Sequence, residues 1–282
     1  MIWSATTATG CARLLAEPGG QGALHGKMDR EISIIGIDCA TESAKTGLAL
    51  ARYARGRVSV RMALACKGKR PEDIVGEWVD EVEWPVLLAV DAPLGWPEPL
   101  TSTLIGHRAG DPLSANPNRM FRRTTDVHIK ARLGKTPLDV GADRIARTAH
   151  AALGLLDYVR SECKTEVSLA WNPIFQGVKA IEVYPAATLI AHNLASSGYK
   201  GVDQLDQRRS IIEGLSQTMK LDIESQVLEE SPDALDAVVC VLSAYDFLEG
   251  KAVGPCGNEA GTIIKEGWIW AAARGVASEV RS

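Results

Sequence analysis

Short apolar runs that stop at an acidic residue alternate along this chain with longer segments of helical periodicity. Residues 32–38 are β-branched and nearly free of polar side chains, the pattern of a strand buried on both faces. Strands over 46–53 and 57–65 follow, joined at Ala54-Arg55-Gly56-Arg57 by a short glycine-containing hairpin signal. Pro71 opens a helix to about residue 83, with Ile74, Val75, Trp78 and Val82 at helical spacing. A second wholly apolar strand covers 86–91. Residues 93–140 read as loop, crowded with proline. Asp143 begins a helix to about Cys163 whose apolar face carries Ile145, Ala149, Ala152, Leu153, Leu156 and Val159. A short strand at 178–183 precedes helical stretches near 186–194 and 203–220. Ser231 and Pro232 have the N-cap and first-turn chemistry of a helix that runs to about Glu249 and is closed by Gly250. Short strands at 262–264 and 268–270 complete the expectation.

The element order is three antiparallel strands, helix, strand, helix, strand, helix. Tight turns suffice for the first three strands, whereas the later parallel strands need helical crossovers. The expected fold class is α/β: a ribonuclease H-like mixed five-stranded sheet with helices on both faces. Residues 31–282 make up that domain, with a loop-rich insertion around 95–140. Residues 1–30 read as a flexible extension, in which Met28 is an alternative start.

Composition narrows the class without choosing a function. Hydrophobic residues make up 46% and charged residues 23% of 282, an ordinary globular balance with enough apolar surface for a sizeable core. A net charge of −4 argues against a broadly basic surface but leaves room for a local basic patch. The six cysteines form no CxxC pair and sit mostly in apolar surroundings, as reduced thiols of a cytoplasmic protein do. No apolar run reaches membrane-spanning length, and the first 27 residues lack a signal-peptide core. Oligomeric state has no signal here.

The candidate chemistry lies in the carboxylates. Asp38 and Asp91 end the two apolar strands, Glu182 ends the third, and Asp233 and Asp236 open the long late helix. Each has a bland reading: turn chemistry for Asp91, a solvent-facing edge for Glu182, helix-dipole placement for Asp233. Asp236 differs, because its helix is apolar nearly all round and a buried carboxylate needs a cation or donors. Together the acids form a set suited to divalent metal, with a nearby arginine or backbone donors as the other way to satisfy them. A second feature is the stretch 118–136, with Arg119, Arg122, Arg123, Lys130, Arg132 and Lys135 against Asp126 alone. It suits a phosphate backbone or another anion, or is a solvated loop in which Asp126 pairs with Arg123. Trp96, Phe121 and Tyr184 are the aromatics nearest these motifs, as base-stacking platforms or as core anchors.

Five motifs carry a family resemblance: Gly36-Ile37-Asp38-Cys39-Ala40, Val90-Asp91-Ala92-Pro93-Leu94-Gly95, Glu182-Val183-Tyr184-Pro185-Ala186-Ala187, Asp233-Ala234-Leu235-Asp236-Ala237 and Glu266-Gly267-Trp268-Ile269. Arg123-Thr124-Thr125-Asp126 is a weaker match. With them the chain resembles a family of predicted ribonuclease H-like nucleases, domain of unknown function 429. That resemblance implies a metal-dependent nuclease using Mg²⁺ or Mn²⁺ on a nucleic acid. Asp38 would bridge two ions about 3.5–4 Å apart, Asp91 and Asp236 would hold one each, and Glu182 or Asp233 would complete the shell. Arg119, Arg122, Arg123, Asp126 and Lys130 would meet the substrate.

Three other functions compete. A sugar-kinase or actin-like ATPase needs glycine-rich turns after the strand acids, and neither Cys39-Ala40-Thr41 nor Ala92-Pro93-Leu94 is one. A non-catalytic nucleic-acid-binding module would have little reason to keep acids that repel phosphate. A metal-dependent phosphohydrolase of a small nucleotide or phosphoester fits the same acids.

Overall fold

Side-chain alternation along β1 (Glu31–Asp38) creates a core on both sides of the sheet. Ile32 and Ile34 pack on one face, Ile35 and Ile37 on the other, and all four are fully buried. The structure is a computed structural model that describes residues 30–275, apart from residues 83, 84, 114 and 142 and the side chain of residue 258. The expected N-terminal extension, with Met28, lies outside the described residues except for Arg30.

β1 pairs antiparallel with β2 (Gly47–Ala54), which pairs antiparallel with β3 (Arg57–Ala65). The β2–β3 turn places Arg55 at φ 51° and Gly56 at φ 74°, the left-handed pair that a tight hairpin demands. On its other side β1 pairs parallel with β4 (Val86–Asp91), and β4 with β6 (Val178–Glu182). The expected five strands are corrected to seven. β5 (Val167–Leu169) joins the edge beside β6, and β7 (Lys220–Leu221) joins the edge beside β3, giving the order β5-β6-β4-β1-β2-β3-β7. Strands of three and two residues are too short to show a period in the sequence.

Helices cover both faces. α1 (Pro71–Glu81) and, further on, α5 (Asp143–Glu162) enclose the face bearing Ile35, Ile37, Leu88 and Val90. Within the insertion lie α2 (Glu98–Leu104), α3 (Pro117–Phe121) and α4 (Thr124–Leu133), so the segment expected as loop is partly helical. The other face is covered by α6 (Pro185–Ala191), α7 (Leu205–Ser216), α8 (Ser225–Glu230) and above all α9 (Pro232–Leu248).

α9 starts where the sequence places it. The Ser231 hydroxyl accepts the Ala234 amide at 3.1 Å, and Pro232 occupies the first turn. It lies directly on the strands because two of them carry glycine at the crossing. A Cβ on Gly36 would stand 2.1 Å from the Ala237 carbonyl oxygen, and one on Gly47 only 1.9 Å from that of Asp233. The acidic first turn of α9 is thereby held at the ends of β1 and β2.

The expected terminal strands are a further correction. Residues 262–264 belong to α10 (Ala260–Glu266), and residues 268–270 contribute only an isolated parallel bridge between Ile269 and Glu182. The run Thr262-Ile263-Ile264 resembles a β-segment, yet only Ile263 is buried while Ile264 is 73% exposed. A 3-10 turn at Gly257–Glu259, capped at Cys256 through the Glu259 carboxylate, leads into this helix, which ends at Gly267, φ 78°.

Candidate functional site

The parallel register of β1 and β4 makes Asp38 and Asp91 Cα partners at the carboxyl end of the sheet. Asp236 faces them from α9, 1% exposed, its two oxygens already engaged. Its Oδ1 accepts the Tyr199 hydroxyl at 2.7 Å, and its Oδ2 meets the Lys200 ammonium at 2.5 Å. Asp38 is 8% exposed and accepts no hydrogen bond from any described residue. Asp233 sits half-buried at the rim.

Crowding of like charge dominates the electrostatics. Burial, then Asp236 and Asp91, push the Asp38 carboxyl well above the ordinary range, with Lys200 pulling the other way. Asp91 is pushed up to about 8 by burial and by Asp236, again against Lys200. For Lys200, burial favours loss of the proton, but Asp236, Asp38 and Asp91 outweigh it and hold the amine charged. Burial also raises the Cys39 and Cys240 thiols, reinforced by the same aspartates, so both stay protonated. Cys39, Cys66, Cys163 and Cys240 are free thiols.

Asp38, Asp91 and Asp236 are thus brought together as the sequence suggests. Glu182 is turned elsewhere. Arg123 donates Nη2 to its Oε1 at 2.6 Å and Nη1 to its Oε2 at 2.7 Å, and the Leu94 amide adds a bond at 3.0 Å. Burial raises this carboxyl, while Arg123 and the Leu94 amide pull it back. Arg123 also binds Asp126 through Nη2 at 2.9 Å and the Glu266 carbonyl oxygen through Nη1 at 3.1 Å. Glu266 in turn accepts the amides of Glu98 and Thr124. Glu182, Arg123 and Asp126 therefore form a buried clasp, and from there neither Arg123 nor Asp126 meets a surface ligand. This replaces their expected place in a substrate-binding strip. Within that strip Arg119 and Lys130 are exposed, while Arg122 pairs with Asp139 at 3.0 Å.

Tyr199 and Lys200 are the residues at the site that sequence reasoning passed over. They lie in the loop between α6 and α7, where Gly198-Tyr199-Lys200-Gly201 reads as an ordinary turn. The buried Arg208 holds that loop by donating to the carbonyl oxygens of Tyr199 (2.6 Å), Gly201 (2.7 Å) and Val202 (3.4 Å).

A protein-family model described as "Protein of unknown function (DUF429)" matches residues 36–260, a span that includes Asp38, Asp91, Glu182, Asp233 and Asp236. The chain belongs to the DUF429 family. No curated protein and no solved structure matches it. The functional reading of this DUF429 member therefore rests on its own site.

Whether divalent metal suits that site is a question of donors and arrangement. Three carboxylates on two strands and a helix are the hard oxygen donors that Mg²⁺ or Mn²⁺ prefers. The Asp38 carboxylate accepts no hydrogen bond from a described residue, and a cation, the Lys200 ammonium, already lies among the acids. Yet among the described residues no three His, Cys, Asp or Glu side chains are arranged as a metal shell. The donor chemistry fits, and Asp236 must exchange its present partner to take part. Among the described residues no helix is long and apolar enough to cross a membrane.

Proposed function

We propose that this DUF429 protein is a metal-dependent nuclease of ribonuclease H-like architecture. The observation that carries the proposal is the register pairing of Asp38 with Asp91 beneath Asp236 of α9. The architecture is supported by the run β3-β2-β1-β4-β6, three antiparallel strands followed by parallel ones, inside the seven-stranded sheet.

Each residue then has a task. Asp38, on the central strand, would offer its oxygens to the metal. Asp91 and Asp236 hold the flanks, and Asp233 is close enough to join at the rim. Tyr199 fixes the orientation of Asp236 through Oδ1. Glu182 is a positioning residue: by accepting the Leu94 amide it fixes the turn that follows Asp91. When bound, Mg²⁺ or Mn²⁺ would lower the pKa of a water and neutralise charge on the phosphodiester. Arg119 and Lys130 remain available to phosphate.

A metal-dependent phosphohydrolase of a small nucleotide or phosphoester is the second reading. It gains from the engagement of Arg122 and Arg123, which leaves less cationic surface for a polymer.

The test is cleavage of labelled single-stranded and duplex DNA and RNA, and of nucleotides, with Mn²⁺. Asp38→Asn should abolish any activity found. If Arg119 and Lys130 contact a polymer, alanine at each lowers the salt slope of binding by about one. Hydrolysis of nucleotides alone would select the second reading, and no metal-dependent hydrolysis of any of these would defeat both.

A further inference from the structure

We propose that Lys200 and a divalent metal ion are alternative occupants of one aspartate site, the lysine holding it until metal displaces the ammonium. This rests on the metal-dependent reading above and assigns the residue that regulates metal entry.

The geometry divides the work within two adjacent residues. Tyr199 binds Oδ1 of Asp236 from a buried position, whereas Lys200 binds Oδ2 through a side chain that is 59% exposed. Arg208 fixes the backbone of both by gripping the carbonyl oxygens of Tyr199, Gly201 and Val202. The ammonium can therefore swing into solvent about its own stem while the loop and Tyr199 stay in place. Its departure frees Oδ2, the oxygen of Asp236 that the tyrosine leaves unused. Asp38, buried and without a hydrogen-bond partner among the described residues, supplies the second donor. Among the described residues no three His, Cys, Asp or Glu side chains are grouped as a metal shell, so metal entry requires the acids to close up as the lysine leaves. The ammonium also relieves the mutual repulsion of three crowded carboxylates. Metal-free protein is thereby kept folded with its acids gathered, and metal must compete with a tethered cation for the place.

Competition of this kind lowers apparent affinity by the fraction of molecules in which the site is open. Removing the ammonium should therefore tighten metal binding. The experiment is Mn²⁺ titration, read by isothermal calorimetry and by the electron paramagnetic resonance of free Mn²⁺, on the full chain and on Lys200→Met, Lys200→Arg and Lys69→Met. Lys200→Met should bind Mn²⁺ about tenfold more tightly, the equivalent of about 1.4 kcal/mol. It should also melt lower than the parent without metal and gain more from Mn²⁺. Lys200→Arg, which keeps the charge, and Lys69→Met, at an exposed lysine that is not among the charges acting on Asp38 and Asp91, should match the parent. Equal or weaker Mn²⁺ binding by Lys200→Met overturns the proposal, even if the parent binds metal and cleaves substrate. Tighter binding without hydrolysis of any substrate upholds it while the nuclease reading falls. Absence of Mn²⁺ binding in both proteins overturns it as well.

Discussion

The carbonyl oxygen of Ala237 occupies the place where a side chain on Gly36 would begin, 2.1 Å from an ideal Cβ. This contact, between the central strand and the helix carrying Asp236, sets the height of the acidic turn above the sheet. Gly36→Ala must push α9 away or bend β1. The expected loss is about 3 kcal/mol, the upper end of overpacking costs, measured by urea unfolding. Metal affinity should fall with it, because Asp236 moves away from Asp38. A variant as stable as the parent would mean that α9 does not rest on β1 in this way.

Stability should decline as pH rises through the neutral range. In the folded chain Asp91 keeps its proton up to about 8, through burial and through Asp236. An unfolded aspartate releases it near about 3.9. Between those values the folded state binds more protons, so its stability falls with increasing pH and levels off above about 8. Asp91→Asn removes the Asp91 share of that dependence, while the raised Asp38 carboxyl keeps its own. Thermal unfolding of both proteins from pH 4 to pH 9 without metal should give curves that coincide in acid and diverge upward. The asparagine variant should be the more stable one at the alkaline end. Curves that stay parallel would show that Asp91 ionises normally.

The clasp around Arg123 predicts a structural phenotype. Arg123→Met leaves Glu182 and Asp126 buried without their cation and should cost about 3–5 kcal/mol, as broken buried ion pairs do. Neutralising an acid as well, in Arg123→Met with Glu182→Gln, should restore part of the loss. Denaturant titration of the two single variants and the double variant gives the coupling directly. An Arg123→Met protein of normal stability would return this arginine to the surface strip.

The parts of the site legible in the sequence are those set by short-range rules. Asp38 and Asp91 were readable because each ends an apolar strand, and β4 had to lie beside β1 if the later strands were parallel. Asp236 stood out as a charge on a helix with no polar face. Glu182 looked equivalent by the same strand-end logic. Its true partner is 59 residues away, in a segment whose arginines look alike until one is buried. Nothing in the local pattern of Arg119, Arg122 and Arg123 distinguishes an exposed residue, a paired one and a core one. Lys200 was invisible for the opposite reason. A lysine between glycines in a polar loop has the signature of solvent, and only the fold of 199–202 around Arg208 turns it inward.

The clasp also determines how the molecule comes apart. Arg123 ties residue 182 of the sheet and the carbonyl oxygen of residue 266, the latter 143 positions further along the chain, into one guanidinium. Glu182 and Glu266 take up the Leu94 and Thr124 amides as well. A proline-rich insertion would ordinarily fray on its own, but the Leu94 amide keeps its partner while β6 is intact and the Thr124 amide while α10 is. Both amides should exchange slowly, toward the globally governed class. The exposed stretch at 105–111 lies outside that lock and exchanges at loop rates. One segment of the chain thus spans both extremes of opening, with the boundary between them set by a single buried arginine.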